Sequence, residues 1–208
     1  MTVTPEGSTR ERLVGAAGQV FARDGFHKAG LREICSVAGN VNVASVKYYF
    51  GDKLGLYRAV MVSAMQDLGP KRPVPIEGAT PDETLSSWLR QFLEFSLVHR
   101  HNHPFVSHIM KHELREPTPL LDDIVREVIG PIHRELARIL ARVTGMPEQS
   151  VANRQLAALV LSLCANLETA RPVLERLGAK IPSDAKSMDR FAAEITQFVL
   201  SGVSGGKK

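Results

Sequence analysis

The 208-residue chain holds only two cysteines and one tryptophan. Cys35 and Cys164 lie far apart, too few for a disulfide framework and wrongly spaced for a zinc knuckle, so a reducing, cytoplasmic setting is expected. No uninterrupted apolar run approaches the ~18 residues of a membrane span, and no membrane partner is expected. The start, MTVTPEGSTRER, has no apolar core behind it, so a secretory leader is not expected either. Strand-type alternation and internal repeats are missing. So are a phosphate-cradling glycine loop, a GxSxG elbow and an HExxH pair, so the chain reads as no enzyme and implies no cofactor. Asp122 and Asp123 are neighbours on an expected helix, about 100° apart, and do not form a carboxylate pair. The composition, 44% apolar and 23% charged, is that of a globular protein and excludes disordered, collagen-like and rod-like chains.

What is present is helical period almost throughout, so the fold class expected is all-α. Leu13, Ala16, Ala17, Val20 and Phe21 form one stripe over residues 9–24, with Thr9 as N-cap and Gly25 as stop. A short helix follows over 31–38, with Leu31, Ile34, Cys35 and Ala38 inward, and then a Gly39-Asn40 turn. A third short helix is expected over 43–49 behind Asn42 as cap. A fourth runs from Lys53 to about Leu68 behind Asp52. The stretch 69–81, with four prolines and two glycines, reads as a domain boundary. Beyond it helices are expected at 82–100, 104–115, 119–144, 148–178 and 184–202. Pro131 and Pro172 kink or divide two of them, and the tail SGVSGGKK is expected to be disordered.

Three short helices with a tight glycine turn before the third make a helix-turn-helix candidate over residues 8–68. The recognition helix of such a motif needs a buried face and an outer face of small or polar residues that approach base edges. VNVASVKYYFGDK (41–53) supplies both. Val43 and Val46 face inward in this reading, and Ala44, Ser45, Lys47 and Tyr48 outward, with Lys47 and Lys53 as phosphate charge. Charge is uneven in the same sense. Residues 1–60 carry eight Lys/Arg against five Asp/Glu, +3 of the chain's net +4.

TRERLVGAAGQVFARDGF (9–26), LREICSVAG (31–39) and VNVASVKYYFGDKLGLYRAV (41–60) resemble the TetR family of transcriptional regulators. VNVASV and REPTPLLDDIVREVIGPIHREL (115–136) are similar, more narrowly, to its CecR (YbiH)-like branch. The resemblance implies a three-helix DNA-reading domain and a C-terminal helical bundle, residues 82–203, that dimerises and holds a small-molecule effector. By matching position it implies that Thr9, Arg32, Asn42, Val43, Ala44, Ser45, Lys47, Tyr48, Tyr49 and Lys53 meet DNA. Two departures stand out. Ala29 and Gly30 occupy places where the family commonly has a Thr-Ser pair, which removes one phosphate anchor. The turn AGNVNVASV is one residue longer than the branch's usual form, with Asn40 as the extra residue. Asn beside Gly39 adopts a left-handed conformation cheaply, so a modest shift of the recognition helix is expected.

In the C-terminal part, 155–170 and 191–202 are apolar on several faces and suit a dimer seam; Ala158, Leu161, Ala165, Phe191, Ile195 and Phe198 are its candidates. A pocket region is sought around Trp88, Phe92, Phe105, His108, Ile109, His112, Ile132 and His133, where plain packing is the competing reading. His99, His101, His103, His108 and His112 cluster; His108 and His112 share a helix face beside Glu113, a spacing that can hold zinc or nickel given further ligands. The function expected is a homodimeric repressor released from operator DNA by an effector. The alternative is an all-α interaction or scaffold module that keeps the helix-turn-helix fold without specific DNA binding.

Overall fold

The computed structural model describes residues 7–67, 79–99 and 104–204, all in helices, turns and loops with no strand among them. Most of the expected boundary 69–81 lies outside the described residues, as do His101 and His103. The helices are α1 (Thr9–Lys28), α2 (Leu31–Val37), α3 (Ala44–Phe50), α4 (Lys53–Asp67), α5 (Pro81–Glu94), α6 (Pro104–Arg115), α7 (Leu120–Ile124), α8 (Gly130–Thr144), α9 (Val151–Arg176) and α10 (Ala185–Ser204). A π-helical turn, Phe95–His99, extends α5, and another, Val125–Ile129, joins α7 to α8. The first half of the tail continues α10 as far as Ser204.

The chain divides into two compact units. The first comprises residues 1–70 and 102–123, the second 71–101 and 124–208. Helix α6, which falls within the expected range 82–203, packs on α1 and α4 in the first unit.

In the first unit the expected stripe Leu13, Ala16, Ala17, Val20 and Phe21 is buried, together with Ile34, Cys35, Val46, Leu56 and Tyr57. The α1 cap is Ser8 and not Thr9. The Ser8 hydroxyl accepts from the Glu11 amide (3.3 Å) and Glu11 accepts from the Ser8 amide (2.8 Å), a reciprocal box that places Thr9 at the first helical position. Gly25 breaks α1 at φ 74°, and one further turn carries the chain to Lys28. Helix α6 lies against small residues of α1. A methyl at Gly18 would stand 3.6 Å from the Phe105 ring, and one at Gly25 would stand 2.8 Å from His112 Nδ1. Gly25→Ala therefore combines an unfavourable backbone with a ring collision and is expected to destabilise the protein by about 2 kcal/mol or more. Gly15→Ala, on the same helix with open space at its Cβ, is expected to stabilise by roughly 0.5–1 kcal/mol. Thermal denaturation of the two variants checks this contrast.

The second unit is a helical bundle. Leu85, Trp88, Leu89, Phe92 and Leu93 of α5 meet Leu136, Ile139 and Leu140 of α8, Ala157, Val160 and Cys164 of α9, and Met188, Ala192, Ile195 and Val199 of α10. Thr80 and Glu83 form a second capping box ahead of α5. The irregularity expected at Pro131 lies in the turn before it. The Gly130 amide donates to the Val125 carbonyl five residues back, and Pro131 then sits in the first turn of α8, where a missing amide donor does no harm. Pro172 does not divide α9, which continues through it to Arg176. Both cysteines are buried free thiols, and burial pushes Cys164 up to about 12.

Candidate nucleic-acid interface

Helices α2 and α3 are joined by Gly39 (φ 89°) and Asn40 (φ 59°); among the described residues Asn40 is the one non-glycine with positive φ. The inserted Asn thus takes the left-handed conformation that its side chain tolerates. The α3 amides are satisfied locally: Asn42 Oδ1 accepts from the Ala44 amide (2.8 Å) and the Asn42 carbonyl from Ser45 (2.9 Å). Asn42 therefore caps the helix as expected, from two residues before Ala44. Val46 is buried. Val43 is not, and stands at the exposed entrance to α3, contrary to the inward position expected for it. Ala44, Lys47, Tyr48 and Tyr49 face solvent, with Tyr48 83% exposed; Ser45 is half-buried. Tyr48 and Tyr49 meet edge to face at 4.8 Å. Phe50, by contrast, is half-buried beneath the Arg10 guanidinium (5.5 Å).

Gly51 and Asp52 link α3 to α4. Gly51 takes φ 80°, and Asp52 Oδ1 accepts from the Gly55 amide (2.8 Å), which confirms Asp52 as the cap of α4. A Cβ at Gly55 would collide with the Phe50 carbonyl, so the close approach of α4 to the end of α3 demands glycine there. The cations differ in their engagement. Arg23 bonds Asp24 (2.6 Å) and Glu33 (2.5 Å), tying α1 to α2, and Arg58 is paired with Asp123. Lys53 is half-buried, with Nζ 3.3 Å from the His27 carbonyl and 4.8 Å from the Phe26 ring centre. Arg32 and Lys47 are exposed, and no ion pair among the described residues holds them. Gly30 caps α2 without a side-chain bond, as its lack of an acceptor requires.

Sequence reasoning missed the buried polar centre of the unit. Glu113, 1% exposed, accepts from the Tyr57 hydroxyl (2.9 Å), the Thr118 amide (2.8 Å) and the Thr118 hydroxyl (2.8 Å). The signal was its place four residues after buried Ile109, on the inner stripe of α6. Glu113 is thus committed to packing α6 onto α4. His108 is exposed, His112 is half-buried over Gly25, and among the described residues no three metal-ligating side chains cluster. Burial, aided by the adjacent Glu113 carboxylate, pushes the Tyr57 phenol above its ordinary range. Because the folded pKa is raised, the stabilisation is complete below the usual phenol pKa and is lost as pH climbs above about 10. In an alkaline absorbance titration one of the three tyrosines is expected to ionise only as the fold is lost, and Tyr57→Phe should remove that late component.

The eight pocket candidates divide between the units. Phe105, His108, Ile109 and His112 lie in the first, and Trp88, Phe92, Ile132 and His133 in the second. Trp88 and Phe92 stack at 5.2 Å inside the core, and His133 Nε2 lies 2.9 Å from the Arg154 carbonyl. Of the seam candidates, Ala158 and Phe198 are exposed, Leu161, Ala165 and Phe191 are partly buried, and Ile195 is a core residue that faces the wrong way for a seam. The exposed apolar residues that the sequence reading passed over are Leu159 (69% exposed), Leu163 and Val173. By length and composition α9 alone among the described helices is apolar enough to cross a membrane, and little of it is buried within the chain.

Two family models match. Residues 13–60 match the tetR family of bacterial regulatory proteins, and residues 81–203 match the C-terminal domain of the HTH-type transcriptional dual regulator CecR. The HTH-type transcriptional dual regulator CecR of Shigella flexneri is 29% identical over 155 residues, 70% of this chain and 68% of that protein. A transcriptional regulator from Rhodococcus sp. has the same fold, with a TM-score of 0.63 at 20% identity, covering 94% of this chain and 97% of the other. The flavonoid-responsive regulator FrrA superposes with a TM-score of 0.62 at 22% identity, covering 93% and 96%. These relatives are transcription regulators and not enzymes. With a tetR-type reader at its start and a CecR-type domain over most of the remainder, the chain belongs to the TetR family of bacterial transcriptional regulators.

Proposed function

We propose that the chain is a homodimeric cytoplasmic repressor that leaves its operator when a small molecule binds its second unit. The outer face of α3 carries this reading. With Val46 locked into the core, Ala44 and the half-buried Ser45 open the helix with small side chains, and Lys47, Tyr48 and Tyr49 follow with groups that reach phosphates. A major groove admits such a helix, and small side chains let its backbone approach base edges. Asn42 and Val43 extend the base-reading end, while Thr9 and Arg32 add backbone contacts from α1 and α2.

A second copy would cover Leu159, Leu163 and Val173 of α9 with Phe198 of α10, an apolar set left exposed among the described residues. Ala158 adds a small residue to that seam. A dimer also presents two recognition helices to half-sites one helical turn, ~34 Å, apart. For the effector, the supporting feature is the core around Trp88 and Phe92. Trp88 Nε1 and Ser96 Oγ are buried with no hydrogen-bond partner among the described residues, groups that a ligand's polar atoms would complete. FrrA, by its title, responds to flavonoids, which makes planar aromatic compounds the first effectors to try. Switching is a population shift. To turn the dimer over from 1:99 to 99:1, the effector must favour the non-binding form by about 5.5 kcal/mol.

The test is enrichment of duplexes from a random pool by the full-length protein, followed by gel shifts across a salt series. An enriched sequence bound at least ~1,000-fold more tightly than unrelated duplexes, weakening steeply with salt, is the expected result. Uniformly weak binding without preference would sink the reading and favour the interaction-module alternative.

A further inference from the structure

We propose that Val43 reads the 5-methyl group of thymine and so sets part of the base preference of α3. The inference rests on the DNA-reading assignment of α3 and deepens it, because it names the chemical group that the helix recognises.

The inward packing of this segment is supplied without Val43. Val46 is buried in the core of the first unit. Val41 is half-buried, and its amide donates to the Cys35 carbonyl of α2 (2.9 Å). Val43 stands between them at 40% exposure. Its backbone is helical, with φ −57° and ψ −31°, and its carbonyl accepts from the Val46 amide (3.0 Å). A β-branched residue on helical backbone has one strongly preferred χ1 rotamer. The isopropyl group is therefore held in one direction before any DNA arrives, and a contact made by it costs little side-chain entropy.

Its surroundings are apolar or already engaged. Ala44, the next residue, presents a methyl group to solvent. Asn42 Oδ1 accepts from the Ala44 amide and the Asn42 carbonyl from the Ser45 amide, so these polar groups hold the turn in place. Lys47 and Tyr48, further along the helix and exposed, carry groups that suit phosphates. What Val43 and Ala44 offer the bases is methyl groups.

In the major groove guanine shows N7 and O6, adenine N7 and an amino group, cytosine an amino group, and thymine O4 with a methyl at C5. That methyl is the one apolar group on these base edges. A valine side chain neither donates nor accepts a hydrogen bond, so the base it favours is the one with apolar surface to bury. Burying one methyl is worth about fourfold in affinity.

Uracil pairs as thymine does and lacks only this methyl, so it isolates the contact. A duplex enriched from a random pool by the full-length wild type is remade with each thymine in turn replaced by uracil. Gel shifts then compare wild type, Val43→Ala and Lys47→Met. At one thymine of each half-site, the replacement is expected to weaken wild-type binding about fourfold. Val43→Ala should bind the thymine and uracil duplexes nearly equally. Lys47→Met, which loses a phosphate contact, should weaken both duplexes and keep their ratio. A loss of stability in either variant would also scale both duplexes together. In a second arm the same T·A pair is replaced by C·G, with and without a 5-methyl group on the cytosine. Wild type should favour the methylated duplex about fourfold, and Val43→Ala should not distinguish the two.

An enriched sequence in which no thymine responds to uracil overturns the proposal and leaves the DNA-reading assignment standing. A uracil effect that keeps its full size in Val43→Ala also overturns it, because the methyl then belongs to another side chain. If no sequence is enriched, the DNA-reading assignment fails and this proposal fails with it.

Discussion

Glu113→Ala is expected to unfold the first unit about 3 kcal/mol more readily than wild type, one of the largest losses available from a single substitution in this chain. The carboxylate accepts three hydrogen bonds at 1% exposure, and its removal strands the Tyr57 hydroxyl and the Thr118 amide and hydroxyl away from water. Thr118 also receives the Leu120 amide (3.2 Å), so the damage extends to the start of α7. Glu113→Gln keeps the shape and one acceptor oxygen while turning an NH2 group toward a donor, so a smaller loss, about half, is expected. Tyr57→Phe removes a single donor and should be milder still. Calorimetry resolving the transition of the first unit checks the order. A melting profile for Glu113→Ala within a degree or two of wild type would refute the account of a load shared among three donors.

Leu163→Asp combined with Phe198→Asp is expected to yield a folded monomer whose affinity for an enriched duplex falls by at least ~100-fold. Both side chains are exposed within the chain, so the substitutions should leave each unit's melting largely intact. In a dimer the same carboxylates would enter an apolar seam unpaired, at a penalty of several kcal/mol. The DNA effect follows from linkage of two readers, which multiplies single-site affinity by about 10²–10⁴ without any new contact. Light scattering gives the mass and gel shifts give the affinity. A double variant that remains a dimer, or a monomer that binds as tightly as wild type, contradicts the assignment of the seam.

Much of the reader was legible because its signals are local. The 3–4 spacing of Leu13 to Phe21, the Gly39-Asn40 turn, and the Asp52 cap each act within a few residues. In each case the structure has the stripe buried, Asn40 left-handed and the cap formed. The Thr9 misassignment is instructive, since the Ser8–Glu11 spacing of a capping box stood in the sequence one residue earlier. Other features depend on partners distant in the chain. Glu113 looks like surface charge beside a histidine until α4 supplies Tyr57. Lys53 looks like a free cation until the break at Gly25 delivers the His27 carbonyl and Phe26. Ile195 and Leu159 are both apolar and helical, and only the packing of α9 and α10 turns one inward and the other out. The prolines acted unequally: the helix expected over 119–144 is divided just before Pro131, whereas α9 continues through Pro172. Pro131 and Pro172 announce a missing donor, but where the helix absorbs it depends on neighbouring backbone and not on the proline itself.

The return of α6 to the first unit has a bearing on how the protein is made. Synthesis delivers α1 to α4 first, but the hydroxyl of Tyr57 and the small face of Gly18 and Gly25 are answered by residues 105–118. At about 5–20 residues per second, those residues follow several seconds later. In that interval the nascent reader carries an open apolar flank along α1, and a helix of the intervening stretch, α5, leaves the ribosome before the reader is closed. The DNA-reading surface is therefore completed from behind, by a segment born after part of the neighbouring unit. A ribosome stalled before Glu113 would hold a recognition helix on an unfinished scaffold.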